Sequence, residues 1–471
     1  MTVREAQPLI TSISVRELFG RRSYDIEIPE VDGKPSRLLL LHGDNGSGKT
    51  TLLRLVWHAL SAADNRGHRS FIAKTPFMSL GISMTGGRSI HIAKSDGLLG
   101  SFTVTVRNAD GSEVVAKYTA TEDLEVRGGT QRRHYSIDES AFLLERAGSY
   151  LREISKRERN ELMHRITEID EDAAAEVAYL EFLENEVKTP LYLADDRSLY
   201  SDDPDINRMR EMLWRRDDGE KTDRLARLAF NELQITIRRV NEHLRSLTIG
   251  GQNDGSANSN AIYLNVLRQL VEGARNSGDA AEAPVSDLLD QVAESSPMYE
   301  KYGLVPPLDT TELRRLLSAA RGDLAEPAER IVSPFLSSLQ ARYEALSSAQ
   351  RLLESLIPTV NSFLNEKQLH FTPRTGLRIV TVDGDVLEVE ALSSGERQLL
   401  MLLCTTLLAG IDTNIFIVDE PELSLGVDWQ RKILESLLDV TDGSNLQFLV
   451  ATHSVEIISG NPESLVQLRA L

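Results

Sequence analysis

The sequence predicts an α/β fold, a phosphate-loop head that carries an antiparallel β subdomain and a long helical insertion. Three observations lead there. A glycine-rich loop, Gly43 to Thr51 (GDNGSGKTT), stands between the apolar run Leu38 to Leu41 and the apolar-periodic segment Leu52 to Leu60. That is the strand, loop and helix order such a loop requires. Two more apolar runs, NIFIVDE and LQFLVATH, end on Asp419-Glu420 and on His453, as buried parallel strands do when their carboxyl ends carry a site. Between these ends, residues 201–369 carry leucine-periodic stretches, which read as a long, mostly helical insertion.

Gly43, Gly48, Lys49 and Thr50 fit the pattern G-x-x-x-x-G-K-[ST]. Average residue frequencies give about 0.02 chance matches in a chain this long, so the match is not coincidence. In such a loop the backbone N–H groups of Asp44, Asn45, Gly46, Ser47 and Gly48 curl toward phosphate oxygens, and the first helical turn through Thr51 adds its own free donors. Lys49 is expected to reach the β- and γ-phosphates, and the Thr50 hydroxyl to hold Mg2+.

A chain of 471 residues with 41% hydrophobic side chains is long enough for two or three folding units. Its 52 basic and 71 acidic residues leave a formal charge of −19. This disfavours a protein whose whole surface coats nucleic acid. Cys404, the single cysteine, lies in an apolar run and reads as a buried hydrophobe. No stretch reaches the ~18 apolar residues of a membrane span, and the N-terminus lacks a signal peptide's apolar core. The expectation is a cytoplasmic protein with no membrane partner.

Along the chain, residues 1–140 read as the first part of the head. Residues 10–28 alternate at period two on both sides of Phe19-Gly20, giving two strands, and FMSLGISM, SIHIA, FTVTVRN and EVVAKYTA come next as short antiparallel strands. Arg127, Arg132, Arg133 and His134 form either a solvated loop or a basic contact. Residues 141–188 read as a helical subdomain and 189–200 as a strand returning to the sheet. That strand ends on Asp195, Asp196 and Arg197, read as a structural ion pair.

In the insertion, residues 201–369, one seam runs Leu233, Ile237, Val240, Leu244, Leu247. A second runs Leu336, Leu339, Tyr343, Leu346, Gln350, Leu353, Ile357, Val360, Leu364. Such seams pair as an antiparallel coiled-coil arm or form the core of a compact helical domain. Pro358 should kink or end the second one. Residues 250–260 and 276–284 read as loops. The head resumes over 370–471, opening on a hairpin at Asp383-Gly384.

In that last part, Ser393, Ser394, Gly395 and Glu396 precede a long apolar helix. Small residues at a helix start can offer N–H and hydroxyl groups to an anion. Ser-x-x-Glu is equally an ordinary capping box. Asp419 and Glu420 end a fully apolar strand, and two adjacent buried acids are costly unless a cation or proton transfer employs them. Asp419 is therefore assigned to Mg2+ and Glu420 to the attacking water. His453 is placed near the γ-phosphate.

The set GDNGSGKT, LSSGE, FIVDEPELS and THS, in that order, resembles the ABC-type ATPase superfamily, and most closely its SMC, RecF and OLD-like branch. The resemblance implies Walker A at Gly43–Thr50, a signature motif at Leu392–Glu396, Walker B Asp419, general base Glu420, a D-loop at Ser424-Leu425 and switch histidine His453. It implies two heads sandwiching two ATP molecules, each held by one phosphate loop and by Ser393 and Gly395 of the other copy. Ser394 and Glu396 replace the commoner Gly and Gln, and no glutamine lies between Thr51 and Thr130 to serve as Q-loop ligand.

Transporter ATPases keep phosphate loop and signature close together, whereas a long insertion separates them here. OLD-type nucleases continue into a Toprim domain, for which the residues after His453 leave no room. The resemblance therefore implies the stand-alone ATPase of a two-gene anti-phage system of the PARIS or Septu type. Such an ATPase forms a homodimer or larger homo-oligomer and controls a separate Toprim or HNH nuclease effector, answering a phage trigger protein or DNA. The alternative is a RecF- or SMC-like DNA-binding ATPase in repair, its groove built from Arg127, Arg132, Arg133, Arg238 and Arg239.

Overall fold

A computed structural model describes residues 9–31, 33–63, 67–126, 171–202, 232–250, 284–319 and 325–469. Arg127, Arg132, Arg133, His134, most of the 141–188 segment and the 251–283 stretch lie outside them. In chain order the elements are β1 (Ile10–Leu18), β2 (Arg22–Glu27), β3 (Glu30–Val31), β4 (Lys34–Pro35), β5 (Leu38–His42), α1 (Lys49–Leu60), α2 (His68–Lys74), β6 (Ser79–Met84), β7 (Ser89–Lys94), β8 (Phe102–Arg107), β9 (Glu113–Tyr118), α3 (Glu171–Phe182), β10 (Leu191–Leu193) and β11 (Leu199–Tyr200). After these come α4 (232–250), α5 (Val285–Glu300), α6 (Thr310–Ala319), α7 (Ala325–Asn361), β12 (Lys367–Thr372), β13 (Gly376–Thr381), β14 (Val386–Leu387), α8 (Ser394–Asp412), β15 (Ile415–Asp419), α9 (Val427–Val440), β16 (Gln447–Ala451), α10 (Val455–Gly460) and β17 (Leu465–Gln467). They divide into two compact units, Met1–Glu232 with Leu408–Leu471, and Leu233–Leu407.

The first unit contains two six-stranded sheets. One has the order β11-β10-β15-β16-β5-β17, parallel throughout except for β11. Its central strands are continuous apolar runs, and β15 and β16 are buried at every residue. Strands covered on both faces need no alternation. The other sheet, β2-β1-β6-β7-β8-β9, is antiparallel and alternates buried with exposed residues, so one face packs inward. Ile13, Ile82 and Val104 from this sheet, Leu53 and Val56 from α1, and Ile417 and Leu449 from the parallel sheet share one core. The four strands expected between residues 77 and 120 are β6 to β9, and the returning strand is β10.

Gln447 joins the two ends of this unit. Its side chain, fully buried on β16, accepts from Ile10 N–H at 2.8 Å and donates to the carbonyls of Ile10 at 3.0 Å and Ser36 at 3.1 Å.

In the second unit α5 packs against α7, with the Tyr299 and Tyr343 rings stacked at 4.7 Å and the Tyr343 hydroxyl donating to Ser296 at 3.0 Å. Leu336, Tyr343, Leu346, Leu353 and Val360 of one seam are buried, as are Leu233, Val240 and Leu244 of the other. Helix α7 runs through Pro334 and ends three residues beyond Pro358. Strands β12, β13 and β14 form an antiparallel sheet with the expected hairpin at Asp383-Gly384.

Replacing Gln447 by leucine leaves buried backbone groups of Ile10 and Ser36 without partners, each costing about 1–3 kcal/mol. The expected loss is about 3 kcal/mol, seen as a lower urea midpoint at unchanged slope.

Candidate nucleotide site

The site is assembled at the carboxyl ends of three adjacent strands. β16 lies between β5 and β15, with Phe448 to Ala451 paired to Leu38 to Leu41 on one side and Ile415 to Asp419 paired to Gln447 to Ala451 on the other. All three point the same way. The loop after β5, the Asp419-Glu420 step after β15 and His453 after β16 therefore leave the sheet at one edge.

The phosphate loop is held from beneath by the antiparallel sheet. Tyr24 of β2 donates its hydroxyl to Ser47 O at 2.8 Å, and Arg22 donates to Gly46 O. Gly48 caps α1 with φ of 95°, and a Cβ there would stand 2.9 Å from Leu18 Cδ2. Only glycine meets both demands. No side chain caps the helix, so its first N–H groups stay free for an anion. Asp44, Asn45 and Gly46 are exposed, Gly43, Ser47 and Lys49 buried, and Thr50 and Thr51 half-buried.

Lys49 folds back on its own loop, donating to Gly43 O at 2.8 Å and Asp44 O at 3.3 Å. Burial lowers its pKa, and the carboxylates of Asp419, Glu420, Asp44 and Glu422 pull it back up. Asp419 shows the converse. Burial raises its pKa to about 6, with the Thr50 hydroxyl beside it favouring the charged form. Its Oδ2 accepts from the Tyr192 hydroxyl at 3.3 Å, whereas Oδ1 is buried without a partner of ordinary geometry among the described residues. An orphaned carboxylate oxygen next to a threonine hydroxyl fits a hard cation that demands oxygen. No group of three metal-binding side chains exists among the described residues. A cation here would complete its shell from phosphates and water, as Mg2+ does.

Glu420 adopts φ of 52°, in the left-handed region, while its N–H donates to Ala451 O at 2.8 Å. Strain of this kind costs about 1–3 kcal/mol and persists only where neighbours enforce it. His453 Nε2 lies 3.7 Å from Glu420 Oε1. Asp195 and Asp196 accept backbone N–H groups of Asp196 and Ser198, and Arg197 donates to the Ser424 hydroxyl rather than pairing with its neighbours.

Ser393 to Glu396 belong to the other unit. Ser393 and Ser394 are exposed and Gly395 half-buried. Glu396 is buried in a capping box: its carboxylate accepts from Ser393 N at 2.7 Å, its own N–H donates to Ser393 Oγ at 3.3 Å, and Lys367 Nζ donates to both its oxygens at 2.9 Å.

The geometry brings together Lys49, Thr50, Asp419, Glu420 and His453. It also adds residues that no sequence pattern singles out. Tyr192, Tyr24 and Arg22 reach the site across strands distant in sequence, and no local pattern marks them. Glu422 is visible in DEPE as a third acid, but its contacts are not.

A model of the family described as "AAA domain, putative AbiEii toxin, Type IV TA system" matches residues 38–459. The chain belongs to this AAA-domain family. The match spans both the phosphate loop and the Asp419-Glu420 and His453 strands. No curated protein matches the sequence. Among solved structures, the chain is similar to the Smc head domain with an extended coiled coil, bound to the C-terminal domain of ScpA, from Pyrococcus furiosus. The two are 12% identical, with 98% of this chain and 94% of that one covered, at a TM-score of 0.36. A second Smc head, bound to the C-winged helix domain of ScpA, is 10% identical, with 96% and 92% covered, at 0.35. Both scores lie below the level at which a shared fold can be inferred.

The Asp419 carboxyl has a folded pKa of about 6 against an ordinary 3.8. The folded chain therefore holds an extra proton between these pH values, and this group's contribution makes stability fall as pH rises through that window. Asp419→Asn should stabilise the nucleotide-free chain by about 2–3 kcal/mol near pH 8. The gain should shrink as pH is lowered through 6 toward 4. Urea unfolding at both ends of the range checks this, and a pH-independent gain refutes it.

Proposed function

We propose that this protein binds and hydrolyses ATP, and that it acts as a homodimer or larger homo-oligomer controlling a separate effector protein in anti-phage defence. One observation carries the ATPase reading. Lys49, Thr50, Asp419, Glu420 and His453 converge at the ends of three parallel strands in one unit.

In this reading the loop N–H groups and Lys49 bind the phosphates, Lys49 exchanging its carbonyl partners for phosphate oxygens. Thr50 and Asp419 Oδ1 hold Mg2+, which when bound neutralises charge on the phosphate oxygens. Glu420 accepts a proton from the attacking water, and His453 donates toward the γ-phosphate. A second copy closes the site with Ser393 and Gly395, and the exposure of Ser393 supports that role.

The family description, which names a toxin of a toxin–antitoxin system, supports a role in conflict with an invader over transport. The formal charge of −19 favours a protein partner, such as a Toprim or HNH nuclease, over a DNA clamp. A phage protein or DNA would serve as trigger. The alternative is a RecF- or SMC-like DNA-binding ATPase in repair, for which Arg238, exposed and paired with Glu242 at 2.8 Å, would contribute to a basic groove.

Lys49→Ala is expected to abolish binding of a fluorescent ATP analogue. Glu420→Gln should keep binding and lower turnover by about 10²- to 10⁴-fold. Unchanged turnover in the glutamine variant removes Glu420 from the mechanism. Cells carrying the chain with its neighbouring gene should lose protection against phage on Lys49→Ala. Duplex-DNA binding that weakens steeply with salt would favour the repair role instead.

A further inference from the structure

We propose that Glu422 is a positioning residue of the hydrolytic site. Its carboxylate ties the turn after β15 to the turn after β16 and thereby sets His453 against Glu420. The inference rests on the ATPase reading above.

Glu422 Oε1 accepts three hydrogen bonds from the second turn, from Thr452 Oγ1 at 2.8 Å, His453 N at 2.7 Å and Ser454 N at 3.0 Å. Bonds to an ionised acceptor are about twice as strong as neutral ones. Here three of them converge on the residues that flank and include His453. The same turns are joined again further out, where Ser454 Oγ donates to Gln430 Oε1 at 2.7 Å and Gln430 Nε2 donates to Leu425 O at 2.8 Å. On the near side, Glu420 N–H is held by Ala451 O.

The imidazole itself is not fixed by Glu420. At 3.7 Å the Nε2 to Oε1 separation exceeds a hydrogen bond. The backbone of His453 is what the fold grips, and Glu422 is the side chain that grips it. In Asp419-Glu420-Pro421-Glu422 the first acid faces the metal position, the second the water, and the third builds the frame for the histidine. The other oxygen of Glu422, Oε2, is buried without a hydrogen-bond partner among the described residues, and this assignment gives it no contact with a reacting atom.

The test uses the full chain and compares Glu422→Ala, Glu422→Gln, His453→Ala and the Glu422→Ala/His453→Ala pair. ATP turnover, affinity for a fluorescent nucleotide and thermal unfolding are measured for each. Glu422→Ala should lower kcat by about 10²-fold, the scale of a small misplacement of a reacting group, with nucleotide affinity unchanged. Glu422→Gln keeps an oxygen acceptor and should retain most of the turnover. The pair should be no slower than His453→Ala alone, since both changes remove one shared arrangement. Undiminished kcat in Glu422→Ala, or losses that multiply in the pair, overturns the proposal. Should alanine unfold the chain, Thr452→Val removes one of the three donors at nearly constant shape. It should show a smaller loss of kcat without loss of affinity, and undiminished kcat in this variant overturns the proposal equally. A wild-type chain that binds ATP without turning it over overturns the ATPase reading and this inference together.

Discussion

The site exists because one strand from late in the chain inserts between two others. β16 pairs with β5 on one side and β15 on the other, all parallel and each apolar but for one end residue. Strands buried on both faces cannot be left open to water, so their pairing is enforced by the core rather than by local turns. The loop leaving each strand must then emerge at a common edge. The same burial that stabilises the ladder desolvates Lys49 and Asp419 in opposite senses. The Asp419 carboxylate supports the Lys49 charge, and in the proposed reading the phosphates and cation that join them would make both charges tolerable.

The antiparallel sheet does more than cover this core. Tyr24 and Arg22 hold two carbonyls of the phosphate loop, and Leu18 presses against Gly48. One of these peptides is held from both ends, since the Ser47 N–H, in the same peptide as Gly46 O, donates to Asp44 O at 3.0 Å. A loop shaped before its ligand arrives loses less freedom on binding. Across the edge, Glu422 does the same for the turn that carries His453.

Much of this was legible in the residues. Gly43 to Thr50 announce themselves by spacing, and NIFIVDE and LQFLVATH by uninterrupted apolar runs, because buried parallel strands and phosphate loops are local patterns. The antiparallel strands were equally readable from alternation. Tyr192 and Gln447 were not, since their partners lie in segments far away in sequence, nor was Tyr24, because a single tyrosine in a strand carries no sign of what its hydroxyl meets. The Ser393-Glu396 stretch was ambiguous for a physical reason. The same spacing that presents small residues to an anion also builds a capping box, and here Glu396 makes the box while Ser393 remains exposed. The leucine seams left an arm and a compact domain equally open, because burying an apolar stripe satisfies both. Their buried residues lie in one compact unit.

The ladder also orders events in time. A chain emerging from the ribosome displays its phosphate loop, Gly43 to Thr51, long before the strand that brings the acids and the histidine alongside, Gln447–Ala451. During synthesis the loop is a cradle without chemistry beside it, and Leu38 to Leu41 wait without the neighbour that shields them. Contacts closed over such separations form slowly. Until that strand is made, the unfinished sheet offers an apolar edge to its surroundings, the kind of surface on which incomplete folds aggregate.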